Sequence, residues 1–533
     1  MVIQRLLAVL LAAGLAACGQ PPAADDGEAV LHLGNALEPQ SLDPHVAYIT
    51  GERQIVGDLF VGLYQPDPAG RPIPALTERV EVSDDGLAWT FTLREAVWSD
   101  GQPITSADVV AGLRRAVDPA TRNPYPTTLF VIENAQAVSE GRQPVDALGA
   151  EALDGRTVVI RLENPAPYLP SVLSAWGQPT PSHVIEEHGD AWIRPENIVV
   201  SGAFNLVRWR SNDLIELERN ELFYEADQVC LDRVYYYPTV DTAAAERRVR
   251  NGELDLNTEF TGANLPLLRE RHPELIDIGL GLVVRSIAFN TEHPVGGDIR
   301  VRNALGMAID RTFIAEDVLA GADIAARRYV PEGVAGRIEG PELFYVDQGM
   351  DDRREAARTL LTEAGFGPEN RLVITLYYQP SAGWPRIAPV IQQDWSLIAD
   401  WVQAEIAVRD SQLHYEAMRS GDFVAATSGW IGDFDDPYAY LLQFGSDAGD
   451  INFSRWATPD YDAVLRAAIA NPDPVARSLQ LAEAETLFLD GGGETPIFVE
   501  TNKHLVSPRI EGWVFSPWQI NPNRWHCVAE DAD

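Results

Sequence analysis

Three carboxylates crowd one short run, Gly432-Asp433-Phe434-Asp435-Asp436-Pro437, directly after Gly429, Trp430 and Ile431. Acids this close suggest a calcium loop, but such a loop needs alternating Asp-x-Asp-x-Asp-Gly ligands, and this run lacks that spacing. Asp433 can also cap a turn ahead of Pro437, and Trp430 can be an ordinary core tryptophan. Nothing else in the chain adds a reactive group. There is no Gly-x-Ser-x-Gly elbow, His-Glu-x-x-His helix, Walker loop or Cys-x-x-Cys pair. His183 and His188 are five residues apart and would not share a helical face, so they do not make a zinc pair. No catalytic constellation is therefore visible, and no catalytic residue, metal or cofactor is expected.

Composition narrows the partners. The 533 residues carry 41 Lys plus Arg against 79 Asp plus Glu, a formal net charge of −38. A surface of that sign has no broad cationic face for phosphates, which argues against nucleic acid. The apolar fraction of 46% and charged fraction of 23% suit a folded soluble chain with sizeable cores.

The elements that must position the acidic run alternate between strands and helices. Val80 to Leu93 alternates on both sides of Asp84-Asp85-Gly86, predicting a hairpin with Trp89, Phe91 and Leu93 on one face. Thr105 and Asp108 form a capping box before Val109, Val110, Leu113, Ala116 and Val117 at helical spacing. Strands are predicted over 157–162, 254–257 and 371–377, and helices over 241–250, 302–319 with a break near Asp310, 351–364 and 387–404. Interleaving of this kind is α/β.

The amino terminus reads as a targeting segment. Residues 1–18 combine one early Arg, an apolar run from Leu6 to Leu15, and small residues before Cys18. The apolar run is shorter than the roughly 20 residues that cross a membrane. Leu15-Ala16-Ala17-Cys18 resembles the lipobox of bacterial lipoproteins, which implies lipidation of Cys18. A Pro-, Ala- and Asp-rich tether over 19–27 follows. The expected location is periplasmic, lipid-anchored to a bacterial membrane. The other cysteines, Cys230 and Cys527, are either a disulfide or two thiols, because sequence spacing does not give Cα separation.

Several segments in fixed order resemble the solute-binding proteins of ABC importers, family 5, the oligopeptide-binding group. They include Ser41-Leu-Asp-Pro-His45, Asp58-Leu-Phe-Val-Gly-Leu-Tyr64, Trp98-Ser-Asp-Gly101, Asn251-Gly-Glu-Leu-Asp255, Val301-Arg-Asn-Ala-Leu305 and Leu360-Leu-Thr-Glu-Ala-Gly-Phe366. The resemblance covers nearly all of the mature chain. It implies a two-lobed periplasmic-binding-protein fold, type II, with a hinge between lobes and an extra segment on the first. The implied boundaries are 28–58, 181–284 and 498–533 for the first lobe, 59–180 for the extra segment and 285–497 for the second lobe.

The resemblance also implies site residues. Gly429-Trp430-Ile431-Gly432-Asp433 is similar to the family's Gly-Trp-x-x-Asp pattern, whose aspartate takes a peptide's α-amino group. A cation leaving water needs such an acceptor. Gly429, Trp430 and Ile431 would border the ligand, with Tyr48 and Thr50 along its backbone and Tyr125 as a cleft-facing aromatic. Relatives that clamp a peptide carboxylate carry a cation on the strand before this tryptophan, where Thr427 stands. Asp317 and Leu319 occupy another segment where a lysine is expected. The implied function is delivery of oligopeptides to a membrane permease driven by separate ATPase subunits, with the receptor a monomer. The alternatives are a non-peptide solute (opine, oligosaccharide or nickel chelate) and a sensory or chaperone-like surface lipoprotein.

Overall fold

The computed structural model describes residues 27–529, so Cys18 and its lipobox lie outside the described residues. Strands and helices alternate along the chain. An eleven-stranded mixed sheet runs in the order Val402–Val408, Leu372–Tyr378, Ala425–Ile431, Ile276–Phe289, Glu494–Val506, Leu256–Asn257, Val30–Gly34, Arg233–Tyr237, Leu214–Arg219 and Phe204–Arg210. The short strand Ile324–Ala325 adds to Glu494–Val506.

Two long strands in the middle belong to both halves of the sheet. Ile276–Phe289 and Glu494–Val506 pair antiparallel from Ile276 opposite Leu505 to Ala288 opposite Glu494. At one end Val506 and Leu505 also pair with Leu256–Asn257. At the other, Val283 to Phe289 pair with Ala425–Ile431. The ladder breaks between Leu280 and Val284, and again between Arg285 and Ser286. Gly281 lies in the first break, where a Cβ would approach the Glu500 carbonyl oxygen to 2.4 Å. Only glycine lets the strands approach so closely there.

A separate antiparallel sheet, ordered Thr77–Val82, Ala88–Leu93, Thr157–Arg161 and Ala150–Ala152, contains the expected hairpin. Phe91 and Leu93 are buried and Trp89 is half-buried, while Gly86 takes the left-handed turn at φ +71°. Helix Ser106–Val117 starts at the expected box, with Asp108 Oδ2 accepting from both Thr105 N and Thr105 Oγ1 at 2.8 Å. The break expected near Asp310 separates Ile299–Ala308 from Arg311–Phe313, and Asp310 caps Phe313 N at 3.0 Å. The helix expected over 387–404 is Trp384–Ser396 instead, and Val402–Val408 is a strand parallel to Leu372–Tyr378. Trp395, Ile398 and Val402 mimic a helical period. The alternation of Val402 and Ala404, both buried, with exposed Gln403 and Glu405 is the true period of two. Among the described residues no helix is long and apolar enough to cross a membrane.

Cys230 and Cys527 form a disulfide, with Cα atoms 5.1 Å apart at a sequence separation of 297. It ties the last strand, Cys527–Val528, to the segment before Arg233–Tyr237. Cys527→Ser should lower unfolding stability by about 2–4 kcal/mol. Guanidinium denaturation with and without reductant checks this, and identical midpoints would contradict a structural role for the bond.

Candidate functional site

The loop that carries Tyr48 is organised by one buried carboxylate. Glu52, in the first turn of helix Thr50–Leu59, accepts from Gln40 N at 2.7 Å, Ser41 N at 3.3 Å, Tyr48 N at 2.9 Å and Ile49 N at 3.3 Å. A second anchor comes from the Ser41-Leu-Asp-Pro-His45 signature itself. Asp43 receives both Arg115 Nη1, at 2.7 Å, and Nη2, at 2.5 Å, while Arg115 Nη1 also lies 3.2 Å from His45 Nδ1. Burial holds the His45 imidazole down to about 4, so it is neutral and accepts from the guanidinium. Signature residues here fix the loop rather than touch the cleft.

The three acids of the 433–436 run have different fates. Asp436 is buried in a two-pronged pair with Arg477, at 2.6 and 2.9 Å. Asp435 accepts from Ala335 N at 2.8 Å and its own N–H donates to Ser171 Oγ at 3.0 Å. Phe434 stacks on Tyr168 with centroids 4.2 Å apart. Together these contacts pin the run against helix Leu169–Trp176. Asp433 alone of the three has no hydrogen bond or ion pair among the described residues. Solvent reaches its carboxyl, yet protein crowds it closely enough that burial pushes its pKa up to about 6. No cluster of metal-ligating side chains forms among the described residues.

Asp433 borders a cavity of about 80 Å³ that is also lined by Arg53, Gly57, Tyr64, Gln178 and Trp518. A second cavity, lined by Thr50, Gln54, Glu259 and Gln519, adjoins along the same helix. It shares Glu259 and Gln519 with a third, which Arg285, Glu500, Lys503 and Ser381 complete. The result is one cleft flanking the shared strands. Gln519 takes φ +58°, a left-handed conformation that costs a non-glycine residue about 1–2 kcal/mol. Cations in the third cavity are already paired: Arg285 Nε with Glu500 at 2.8 Å, and Lys503 with Asp323 at 2.6 Å.

The structure brings Tyr48, Tyr125 and Asp433 together. The two tyrosine rings lie 5.8 Å apart and are 44% and 43% exposed. Burial first, then the nearby Asp433 charge, raises the Tyr125 pKa above its ordinary value. Thr50 lies further along, in the second cavity. Trp430 is half-buried, and its Nε1 donates to the Ala439 carbonyl at 2.7 Å, which makes it a strut for the following turn. Gly429 lies under Arg285, whose Nη1 would come within 2.6 Å of a Cβ there. Ile431 is 52% exposed at the strand end. Thr427 faces inward, its carbonyl accepting from His414 Nε2 at 2.8 Å, and Leu319 is core. Arg53, Gln178, Trp518 and the Arg285–Glu500 pair were not legible as cleft residues. A weak signal existed in Thr50, Arg53 and Gly57, which fall at i, i+3 and i+7 of one helix.

Two α/β lobes joined through shared strands, with a deep cleft holding an unpartnered acid, define a solute receptor. The chain belongs to the family described as bacterial extracellular solute-binding proteins, family 5 Middle, whose model matches residues 71–452. Members of this family are binding proteins rather than enzymes. The chain is 33% identical over 491 residues to the probable deoxycholate-binding periplasmic protein YgiS of Escherichia coli, covering 91% of this chain and 90% of that protein. It is 31% identical over 525 residues to the periplasmic oligopeptide-binding protein OppA of Salmonella typhimurium, covering 95% and 94%. The unliganded open form of MppA, a periplasmic murein tripeptide binding protein, superposes with a TM-score of 0.85 at 29% identity, covering 94% of this chain and 98% of that one. Haemophilus influenzae OppA in complex with RPPGFSPFR superposes at 0.76 and 28% identity, covering 95% and 100%.

The different fates of the acids give a direct test. Asp436→Asn leaves the buried Arg477 without its counter-ion and should cost about 3–5 kcal/mol. Asp433→Asn removes a crowded carboxylate with no partner, so stability at pH 7 should be unchanged or higher. Chemical denaturation of both variants checks this, and equal losses would mean that Asp433 has a structural partner.

Proposed function

We propose that this chain is the ligand-binding component of a bacterial ABC importer, and that it takes peptides by their free α-amino group at Asp433. The observation that carries the reading is the isolation of Asp433 beside two engaged acids, at the wall of a cleft. An ammonium brought there gains an anionic acceptor and releases that acceptor from a crowded, unpaired state. Tyr48 and Tyr125 flank the amine position, with the ligand backbone running toward Thr50. Gly429, Trp430 and Ile431 support the wall. Backbone pairing with an extended ligand supplies affinity without reading side chains. The peptide-binding names of OppA and MppA favour this reading, while the apolar stretch of Val56, Phe60 and Tyr64 beside Asp433 and the name of YgiS favour a non-peptide amphiphile as the second.

In this proposal 28–58, 181–284 and 498–533 form the first lobe, 59–180 its extra segment and 285–497 the second lobe, with the hinge at the ladder break near Leu280–Val284. The higher overlap with the unliganded MppA form than with the OppA complex, at nearly equal identity, supports an open arrangement. The receptor acts as a monomer, catalyses no reaction, and hands its ligand to a permease with separate ATPase subunits. It resides in the periplasm, anchored through lipid on Cys18.

With the pair fully desolvated by the bound ligand, Asp433→Asn should weaken a free-amine tripeptide by about 2–5 kcal/mol and its N-acetylated form far less. Calorimetry on the four combinations reads the coupling, and a value near zero would move the non-peptide solute ahead. The pH dependence has a fixed sign. With the unliganded carboxyl at about 6, protonation competes with the ammonium, so free-amine affinity should fall from pH 7 to pH 5, approaching tenfold per unit below the pKa. The acetylated peptide should show no such slope.

Cys18→Ser should shift the protein from the detergent phase to the aqueous phase of a Triton X-114 extraction. Wild-type protein found in the aqueous phase would remove the anchor.

A further inference from the structure

The cavity beside Asp433 holds a second charge to which amine capture gives no role. Arg53 projects from helix Thr50–Leu59 toward helix Leu169–Trp176. Its Nη2 donates to the Ala175 carbonyl, and its guanidinium lies 4.6 Å from the Trp176 ring centroid. Nη1 is enclosed by protein and has no hydrogen-bond partner. No carboxylate pairs with Arg53 among the described residues, and burial alone lowers its pKa, to about 10.

Two buried arginines of this protein, Arg302 and Arg311, show a guanidinium with every nitrogen engaged. Arg302 directs Nε, Nη1 and Nη2 to the carbonyls of Gly491, Gly492, Gly296 and Gly297. Arg311 likewise donates through all three nitrogens, to Pro496, Gly306, Ile309, Tyr345 and Thr495. Arg477 has the Asp436 carboxylate. Arg53 has one carbonyl and an aromatic face but no anion, and its side chain lines the cavity with Nη1 set back in the protein wall. Gln178, only 4% exposed, lines the same cavity with Oε1 unpartnered while its Nε2 donates to Ser174 O at 3.2 Å. Val56, Phe60 and Tyr64 line the rest with surface suited to a methylene stem.

We propose that this cavity is a carboxylate subsite, taking the acidic side chain of a ligand's amino-terminal residue, glutamate in particular, with Arg53 as counter-ion. An enclosed guanidinium lacking an anion is unfavourable until one arrives, and a carboxylate accepts its N–H groups in matching planar geometry. The assignment rests on the amine reading, since the same cavity is bordered by Asp433 and Arg53, so one residue can present its ammonium to the first and its side-chain carboxylate to the second.

The test is calorimetry on the full mature chain with Glu-Ala-Ala, Gln-Ala-Ala, Ala-Ala-Ala and deoxycholate. Wild type should bind Glu-Ala-Ala at least tenfold tighter than Gln-Ala-Ala, and Arg53→Met should reduce that ratio below threefold. Should Arg53→Met not fold, Gln178→Glu supplies an internal counter-ion and should erase the same preference. Equal affinity for the Glu and Gln peptides in wild type, or a preference that survives both variants, overturns the subsite. Failure of every tripeptide to bind wild type would overturn the amine reading instead. In that case the glutamate assignment falls with it, and deoxycholate binding weakened tenfold or more by Arg53→Met would move the site to the non-peptide amphiphile reading.

Discussion

The pairing of Ile276–Phe289 with Glu494–Val506 is the constraint on which both lobes depend. Glu494–Val506 is hydrogen-bonded to Leu256–Asn257 at one end and Ile276–Phe289 to Ala425–Ile431 at the other, so the two halves of the sheet cannot part without unzipping a ladder. Individual backbone hydrogen bonds contribute only about 0.5–1.5 kcal/mol net, but a continuous ladder adds them cooperatively along its length. The ladder is interrupted between Leu280 and Val284, where Gly281 removes any side chain that would hold the strands at a fixed spacing. A joint of this kind resists separation and yields to rotation. Asp433 follows a strand on one side of the joint, while Tyr48, Arg53 and Tyr125 sit on the other. The two sides also meet directly, through the Phe434–Tyr168 stack and the Asp435–Ser171 hydrogen bond, which fix Asp433 relative to helix Leu169–Trp176.

Polar satisfaction separates scaffold from site more sharply than residue type does. Glu52, Asp43, Asp435 and Asp436 are acids near the cleft, and each is used up by backbone N–H groups or a guanidinium. Their contacts stiffen the loop before helix Thr50–Leu59 and the turn after strand Ala425–Ile431 from both ends. In the proposed site Asp433 and Arg53 are mounted on those stiffened elements without a counter-ion, an arrangement in which the ordering cost would be met during folding and not at the moment of binding.

How far the sequence reads depends on whether a feature is local. The hairpin at Asp84-Asp85-Gly86 and the Thr105–Asp108 box are decided within a few residues, and both form where the pattern places them. The helix misread through Ala404 fails because Trp395, Ile398 and Val402 satisfy two periods at once, and only the sheet partner Leu372–Tyr378 decides between them. The site divides in the same way. Asp433 was reachable through its neighbours in sequence, whereas its freedom from partners depends on Ala335, Ser171 and Arg477 capturing the other two acids and their backbone. Arg53 resembles any surface arginine until helix Leu169–Trp176 closes over it. The Arg285–Glu500 pair joins residues 215 apart, which no spacing rule anticipates.

The charge of −38 bears on these local sites less than its size suggests. At physiological salt the Debye length is about 8 Å, so most of the 79 acids are screened from a solute inside the cleft. What the solute meets there is the set of groups within a few ångströms, and in the first cavity that set is one carboxylate and one guanidinium. Protein atoms crowd both groups, and a ligand that displaced the remaining water would strengthen each interaction over its value at the open surface. The long-range field therefore bears on solubility and encounter, while in the proposed site discrimination among ligands falls to Asp433 and Arg53, two charges without a counter-ion among the described residues.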